Sequence, residues 1–391
     1  MNVARGAFRA AGLFSQDRQH PLLSAPRPPT VAIVGTNGVP ARYGGFETLA
    51  EQLIRCAARQ GIAERFTVWC PAPRNVKHPP RTWLGARLRT LPLRANGIQS
   101  IPYDFTSMAL EAWGRDRADC ILVLGTSGTA ALPLLRRTSR ARLIVNIDGR
   151  EWGREKWGNA ARRFLRWSEV SAVRNAHEVI ADNVAIAQEI ETRYGRTPHV
   201  IAYGADHALD ATPADISDLA LPDSYALAIA RAEPENNLEM ILEAFAPYPD
   251  RPLVVVSNWQ DTPHGRALKA RYGPAPQLFL LDAQHEAGRL RAIRERANVY
   301  VHGHSAGGTN PSLVEMMPFG RPIAVFDCAY NRATTENQAA TFDDAQSLAR
   351  LLPDLWRPQT ATAMGAALAE IAARRYRWDE VAAAYFDLMG L

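Results

Sequence analysis

The sequence is poor in the features that mark several common classes of protein. Its 391 residues include four cysteines, at positions 56, 70, 120 and 328, and none of them forms a C-x-x-C pair. A disulfide framework or a cysteine zinc site is therefore disfavoured, and reduced thiols are expected. No apolar run approaches the roughly 18 residues that a membrane-spanning helix needs. Residues 1–30 lack a secretory signal, so they are interpreted as a disordered leader and the protein is predicted to be cytoplasmic.

A strong excess of one charge is also missing. The chain has 45 basic and 40 acidic residues, a net charge of +5, and its arginines are scattered along the sequence. A dedicated nucleic-acid-binding protein would concentrate them on one face, so nucleic acid is not an expected partner. The modest positive charge fits phosphorylated substrates or peripheral contact with the anionic face of the inner membrane.

Several nucleotide and metal motifs do not occur. There is no G-x-G-x-x-G and no G-x-x-x-x-G-K-[ST], so neither a standard dinucleotide fold nor a P-loop NTPase is supported. There is also no D-x-D triplet, and His302 and His304 lack a metal-ligand spacing. Hydrogen bonding is therefore the favoured role for these histidines, and neither a metal nor a cofactor is expected.

What the sequence does have is a regular alternation of short apolar runs and helical segments. This pattern predicts an α/β fold with two doubly wound parallel sheets. A stretch rich in Ala, Asp and Pro, Tyr203–Asp223, separates two series of strands. The first series is predicted at 31–35, 66–70, 120–125, 143–148 and 178–182, and the second at 225–230, 252–257, 277–282, 298–303 and 322–327.

Two glycine-rich loops each follow a predicted strand and precede a helix. In Val301–Phe319 the loop contains Gly307 and Gly308, and Glu315 is placed about one turn into the next helix. Such a loop presents backbone N–H groups that suit a phosphate, and an acid one turn further suits ribose hydroxyls. The earlier loop ends with Gly44 and Gly45, which could approach a ligand or serve only a tight turn.

Two charged residues stand where strands would open into a cleft. Arg231 ends one strand and is placed to grip a diphosphate, although it could also be a surface arginine paired with Glu233 or Glu235. Asp148 ends another strand and could bind a sugar hydroxyl or stabilise charge, or act only as a helix cap.

An arginine-rich amphipathic helix is predicted around Ala160–Val173. It could lie on an anionic membrane surface or pack on the sheet. Trp152 and Trp157, just before it, could stack on sugar or lipid or belong to the core.

Four motifs together resemble the retaining GT-B glycosyltransferases of family four, in particular a rhamnosyltransferase-like branch of bacterial polysaccharide assembly. The resemblance covers about residue 31 to the C-terminus. The motifs are GTNGVPARYGGFET, NIDGREWGREKWG, ARAEPENN and HGHSAGGTNPSLVEM.

The resemblance implies two Rossmann-like domains that face a cleft, with acceptor in the first and nucleotide-sugar in the second. The expected domains are 31–205 and 206–375, and the helix at 376–391 would cross back to the first domain. Asp148 and Arg231 would be catalytic. Donor-binding residues would be Gly44, Gly45, Arg231, Asn236, Gly308, Thr309, Asn310 and Glu315.

Three positions depart from the common family pattern. Gly307 replaces the first glutamate of E-x7-E, Asn236 replaces a basic residue, and Asp148 stands where many relatives have histidine. The rhamnosyltransferase-like branch shows similar changes, which favours dTDP-rhamnose as donor and a lipid-linked saccharide as acceptor. GDP-mannose or a UDP-sugar, an epimerase, and a non-catalytic nucleotide-sugar or glycan-binding protein are the alternatives.

Overall fold

The computed structural model describes most of the chain. The described residues are 27–41, 44–73, 79–149, 151–153 and 158–391, apart from the side chains of residues 360 and 361. Residues 1–26 of the expected leader lie outside this range, as does Trp157.

The first domain is built around a sheet of eight strands. Its central strands are β-branched and buried on both faces, as parallel strands covered by helices must be. The strands are β1 (Val31–Val34), β2 (Phe66–Pro71), β3 (Thr82–Trp83), β4 (Ala86–Leu91), β5 (Cys120–Leu124), β6 (Arg142–Ile147), β7 (Glu178–Ala181) and β8 (His199–Val200). Their order is β3-β4-β2-β1-β5-β6-β7-β8, and only the β3–β4 pair is antiparallel.

Among the described residues, five α-helices belong to this part of the chain. They are α1 (Gly45–Arg59), α2 (Ser100–Trp113), α3 (Leu132–Thr138), α4 (Asn159–Asn175) and α5 (Val184–Tyr194).

The second domain has a parallel sheet of six strands. The strands are β9 (Tyr225–Ile229), β10 (Leu253–Ser257), β11 (Leu278–Asp282), β12 (Ala297–His302), β13 (Ile323–Phe326) and β14 (Ala340–Phe342), in the order β11-β10-β9-β12-β13-β14. The helices are α6 (Leu238–Phe245), α7 (Pro263–Tyr272), α8 (Ala287–Arg296), α9 (Pro311–Val314), α10 (Ala329–Thr334), α11 (Ala345–Leu355) and α12 (Pro358–Arg375).

The strand order reverses direction once in each sheet. The first sheet grows from β1 outward through β2 on one side and through β5 on the other. The second grows in the same way from β9, through β10 and through β12. Such a switch point leaves a crevice at the carboxyl ends of the strands, which is where ligands bind in open α/β sheets. The loops that follow β1, β9 and β12 start at these crevices.

The last helix, α13 (Trp378–Met389), packs against the first domain. The rings of Phe66 and Phe386 lie 5.6 Å apart, and Asn146 Nδ2 donates a buried hydrogen bond of 2.5 Å to Tyr385 Oη. These contacts bury the apolar face of α13, so the C-terminal helix does cross back to the first domain.

The structure adds elements that the sequence pattern did not predict. Strands β3, β4, β8 and β14 were missed, because they are short or, in β4, alternate arginine with apolar residues. No helix among the described residues is both long and apolar enough to cross a membrane.

Candidate functional site

A cavity of about 650 Å³ is lined by residues of both domains at the two switch points. Every residue that the sequence singled out for donor binding or catalysis lines it. These are Gly44, Gly45, Asp148, Arg231, Asn236, Gly308, Thr309, Asn310 and Glu315.

Arg231 lies two residues beyond β9, and the turn that follows it fixes its backbone conformation. The backbone carbonyl of Arg231 accepts hydrogen bonds from Glu233 N at 2.8 Å and from Asn236 Nδ2 at 2.9 Å. Asn236 is buried, so its amide fixes the backbone of Arg231. A hydrogen-bonded turn therefore fixes the backbone of Arg231, which lines the cavity.

The loop after β12 brings the second domain against the first. Gly307 has φ +100°, a conformation that favours glycine. At Gly308, an added Cβ would lie 1.8 Å from Asp182 Oδ1, so only glycine fits. Thr309 Oγ1 donates to the backbone carbonyl of Asp182, and this hydroxyl accepts from Asn183 Nδ2 at 3.3 Å. The loop is thus held by contacts to the end of β7.

The helix expected after this loop is much shorter than the pattern predicted. Helix α9 covers only Pro311–Val314, and Glu315 caps its C-terminus instead of lying one turn inside. A 3-10 turn at Met317–Phe319 follows, and Gly320 has φ +63°. Pro318 has no N–H group and Gly320 adopts a left-handed conformation, so the helix cannot continue. A four-residue helix carries little macrodipole, so a phosphate here would depend mainly on backbone N–H groups and on Arg231.

In the first domain, Gly44 and Gly45 lie where the chain enters α1. A Cβ on Gly45 would lie 3.1 Å from Tyr203 Oη and 3.3 Å from Pro311 of the second domain. The preceding loop is tied down by Glu47, whose Oε1 accepts from Asn37 N at 2.7 Å. The lack of a side chain at Gly45 therefore allows the two domains to approach each other closely here.

Two carboxyl groups end neighbouring strands and line the cavity. Asp148 follows β6, and Asp182 follows β7. Asp182 is 2% exposed, and its Oδ1 has no hydrogen-bond partner. Burial raises the pKa of Asp182 well above its ordinary value, and the charge of Asp148 raises it further. The surroundings of Asp182 therefore favour its protonated form beside the loop of Gly308.

Glu315 is bound on both oxygens. One oxygen accepts from Arg294 of α8, and the other lies 3.3 Å from His207 Nε2. Burial would raise the pKa of Glu315, but Arg294 and His207 outweigh it and hold the pKa below its ordinary value. The carboxylate is therefore ionised, and it neutralises an arginine that is itself buried.

Of the remaining aromatic candidates, Trp152 and His302 do not line the cavity, whereas His304 does. Trp152 Nε1 donates to Glu169 Oε2 at 2.7 Å, which indicates packing against α4. His302 is buried and stacks on His304 with ring centroids 4.2 Å apart. Burial, with a smaller effect of His304, lowers the pKa of His302 well below its ordinary value. Within the described ranges, no three His, Cys, Asp or Glu side chains are placed to share a metal ion.

Three residues of this site were missed by sequence reasoning. Asp182 could have been found, because it ends a buried strand as Asp148 does. Arg294 lies inside a helix and His207 in a 3-10 turn, and neither position carries a sequence signal.

Comparison by sequence gives one match. Residues 29–206, less than half of the chain, are similar to a domain of unknown function, DUF1972. No curated protein matches the chain.

Comparison by structure is more informative about the fold. Sucrose-phosphate synthase from Thermosynechococcus elongatus has a TM-score of 0.74 and 18% identity, covering 92% of this chain and 98% of that one. Anabaena HepE, in complex with UDP and glucose, has a TM-score of 0.68 and 14% identity, covering 93% and 99%. The catalytic domain of Arabidopsis thaliana starch synthase IV, bound to ADP and acarbose, has a TM-score of 0.66 and 12% identity, covering 93% and 99%.

These structures share two parallel-sheet domains that face a cleft. The fold is GT-B. At these identities the likeness shows the fold alone, so the activity has to be argued from the residues of the cavity.

Proposed function

We propose that the protein is a glycosyltransferase that moves a hexosyl unit from a nucleotide-sugar donor to a saccharide acceptor. The observation that carries the proposal is the position of Arg231 and the loop of residues 307–310 together at the switch point of the second sheet. In an open α/β sheet this is the expected site of a nucleotide phosphate. HepE has this fold and is in complex with UDP and glucose, which agrees with a nucleotide-sugar donor.

The chemistry proposed for the cavity is the stabilisation of negative charge. When the bond between sugar and diphosphate breaks, charge builds on the departing diphosphate. A fixed guanidinium and backbone N–H groups aimed at that charge stabilise the transition state more than the ground state. Arg231 would hold the diphosphate with Gly308, Thr309 and Asn310. Glu315 would bind the ribose and Asp148 would face the reacting sugar.

The finer features of the proposal come from the resemblance of the sequence motifs. The donor would be dTDP-rhamnose, the acceptor a lipid-linked saccharide, and the anomeric configuration would be retained without a metal or cofactor. The enzyme would act at the cytoplasmic face of the membrane. The exposed side chains of Arg163, Arg166 and Trp167 on α4 would suit contact with anionic lipid there.

The test is a thermal-shift screen of purified protein with dTDP-rhamnose, GDP-mannose and UDP-sugars, since a ligand that binds the folded state raises its stability. Turnover is then measured with and without a lipid-linked acceptor. Acceptor-dependent transfer supports the proposal. A changed sugar without acceptor would indicate an epimerase, and binding without turnover a binding protein.

Arg231→Ala should lower turnover by about 10²-fold or more, the usual scale for a contact to developing charge. The matched control is Arg271→Ala, because Arg271 is exposed and pairs with Glu239 away from the cavity. Near-normal kcat in the Arg231 variant would contradict its assignment.

A further inference from the structure

A chain of hydrogen bonds connects the C-terminal helix with the carboxylate of Glu315. Trp378 is the first residue of α13 and is 2% exposed. Its backbone N donates to Asp206 Oδ1 at 2.9 Å, and its indole Nε1 donates to His207 Nδ1 at 2.7 Å. His207 Nε2 in turn lies 3.3 Å from Glu315 Oε1. The tryptophan and the carboxylate are therefore joined through both nitrogens of one imidazole.

The chemistry of these groups fixes the direction of each hydrogen bond. An indole N–H can only donate, so His207 Nδ1 must accept. In the neutral imidazole the other nitrogen then carries the hydrogen. His207 Nε2 therefore donates to Glu315, and the ring is held in one tautomer and one orientation.

Glu315 is consequently gripped from two sides. Arg294 donates to one oxygen and His207 to the other. A carboxylate has about four acceptor sites, so about two remain available to a ligand. Because Glu315 lines the cavity, the direction of these remaining sites depends on its two partners.

We propose that His207 and Trp378 are positioning residues, which orient Glu315 to accept hydrogen bonds from the pentose of the donor nucleotide, that is, from both hydroxyls of a ribose or from the 3′-hydroxyl of a deoxyribose. This inference rests on the proposed function and deepens it. Since α13 also packs on the first domain, a helix that is anchored there completes the nucleotide site of the second domain. Two hydrogen-bond donors that hold a carboxylate fix its orientation more precisely than one.

The test combines a change in the protein with a change in the nucleotide. Trp378→Phe removes the indole N–H and keeps an aromatic ring, and His207→Ala removes the donor to Glu315. The matched control is Trp113→Phe. Trp113 is half exposed, and its Nε1 donates to Thr138 Oγ1 at 3.1 Å on the surface of the first domain.

Each variant is titrated by calorimetry with UDP and dTDP and with the 2′,3′-dideoxy analogue of each. We expect Trp378→Phe and His207→Ala to weaken UDP or dTDP binding by about three- to tenfold, the range for one neutral hydrogen bond. The dideoxy analogues should bind the variants as they bind the wild type, and Trp113→Phe should bind all four nucleotides normally.

If the variants lost affinity equally for parent and dideoxy nucleotides, the positioning role would be overturned, because such losses would reflect a general disturbance of the site. The absence of any loss in both variants would overturn it too. Wild-type protein that binds none of the four nucleotides would overturn the proposed function as well. Wild-type protein that binds parent and dideoxy forms equally would contradict only the contact between Glu315 and ribose.

Discussion

Asp182 and Glu315 line the same cavity from opposite domains, and their surroundings give them opposite properties. Asp182 ends a strand of the first domain beside Asp148, and burial raises its pKa. Glu315 lies after α9 in the second domain beside Arg294, and its pKa is lowered. The surroundings thus favour the protonated form of a carboxyl group on one side of the cavity and the ionised form on the other.

The difference between the two acids follows from the partners that each domain supplies. The second domain offers Glu315 an arginine and a histidine, which compensate the charge that burial penalises. Asp182 instead lies beside another carboxyl group, Asp148, and backbone hydrogen bonds from Thr309 and from Asp182 itself only partly offset the effect of burial. A neutral Asp182 adds no repulsion to a diphosphate next to Gly308, whereas an ionised one would. The comparison therefore predicts distinct effects when each acid is replaced.

The largest effect is expected for Glu315→Ala. This change leaves the buried guanidinium of Arg294, 6% exposed, without its carboxylate. Breaking a buried pair in this way costs about 3–5 kcal/mol in the free energy of unfolding. Denaturant unfolding should show this loss in the absence of any nucleotide.

The control for that measurement is Glu239→Ala, which breaks the exposed pair with Arg271. Its cost should stay within about 1 kcal/mol. If Glu315→Ala proved as mild as the control, Arg294 would not depend on Glu315 for its charge compensation.

Gly308→Ala should have the next largest effect, because it forces the two domains apart at Asp182. The added Cβ would lie 1.8 Å from Oδ1 and 2.6 Å from Ile186 Cδ1. Overpacking of this kind costs about 1–3 kcal/mol. Gly158→Ala is the matched control, since a Cβ there has no atom within 4 Å. Equal unfolding midpoints for the two variants would show that the loop moves without cost.

How far the sequence predicts these features depends on whether they are local. Short apolar runs predicted the central strands, and the ends of those strands located Arg231 and Asp148 in the cavity. Strand β4, near one edge of the first sheet, was not predicted, because its sequence ARLRTL lacks a continuous apolar run. A helix was expected to continue past Glu315, although Pro318 and Gly320 stop it.

The partners of Glu315 could not be predicted in the same way. Arg294 belongs to α8 and His207 to a segment that was interpreted as a linker. They meet Glu315 only through the packing of the second domain and α13, which no spacing in the chain encodes. Asp182 was visible as the end of a strand, but its protonation depends on burial and on Asp148.

Asp182→Asn should change the free energy of unfolding by a smaller amount, and it should stabilise the protein rather than destabilise it. The folded state keeps the proton of Asp182 at pH values where the unfolded chain, with a pKa of about 3.8, has lost it. Because the folded state binds more protons, wild-type stability falls as the pH rises above that value. The asparagine variant lacks this pH-dependent loss of stability. Its free energy of unfolding at pH 7 should therefore exceed that of wild type by on the order of 1 kcal/mol.

Asp104→Asn offers a second instance outside the cavity, since burial raises the pKa of Asp104 to about 7. The free energy of unfolding of Asp104→Asn, relative to wild type, should likewise increase between about pH 4 and pH 7. Unfolding curves recorded across this range measure both variants. A pH-independent difference for Asp182→Asn would mean that the carboxyl group titrates normally.

The smallest effect concerns the coupling of the two acids at the strand ends. The charge of Asp148 is the second cause of the raised pKa of Asp182, after burial. With Asp148→Asn already present, Asp182→Asn should therefore stabilise the protein less at pH 7 than it does alone. A double-mutant cycle should give an interaction energy of about 0.5 kcal/mol or somewhat more, the lower end for neighbouring residues. Because this interaction depends on charge, it should weaken as the pH is lowered. Perfect additivity at pH 7 would instead leave burial as the whole cause, and Asp148 would then face the cavity without influencing its neighbour.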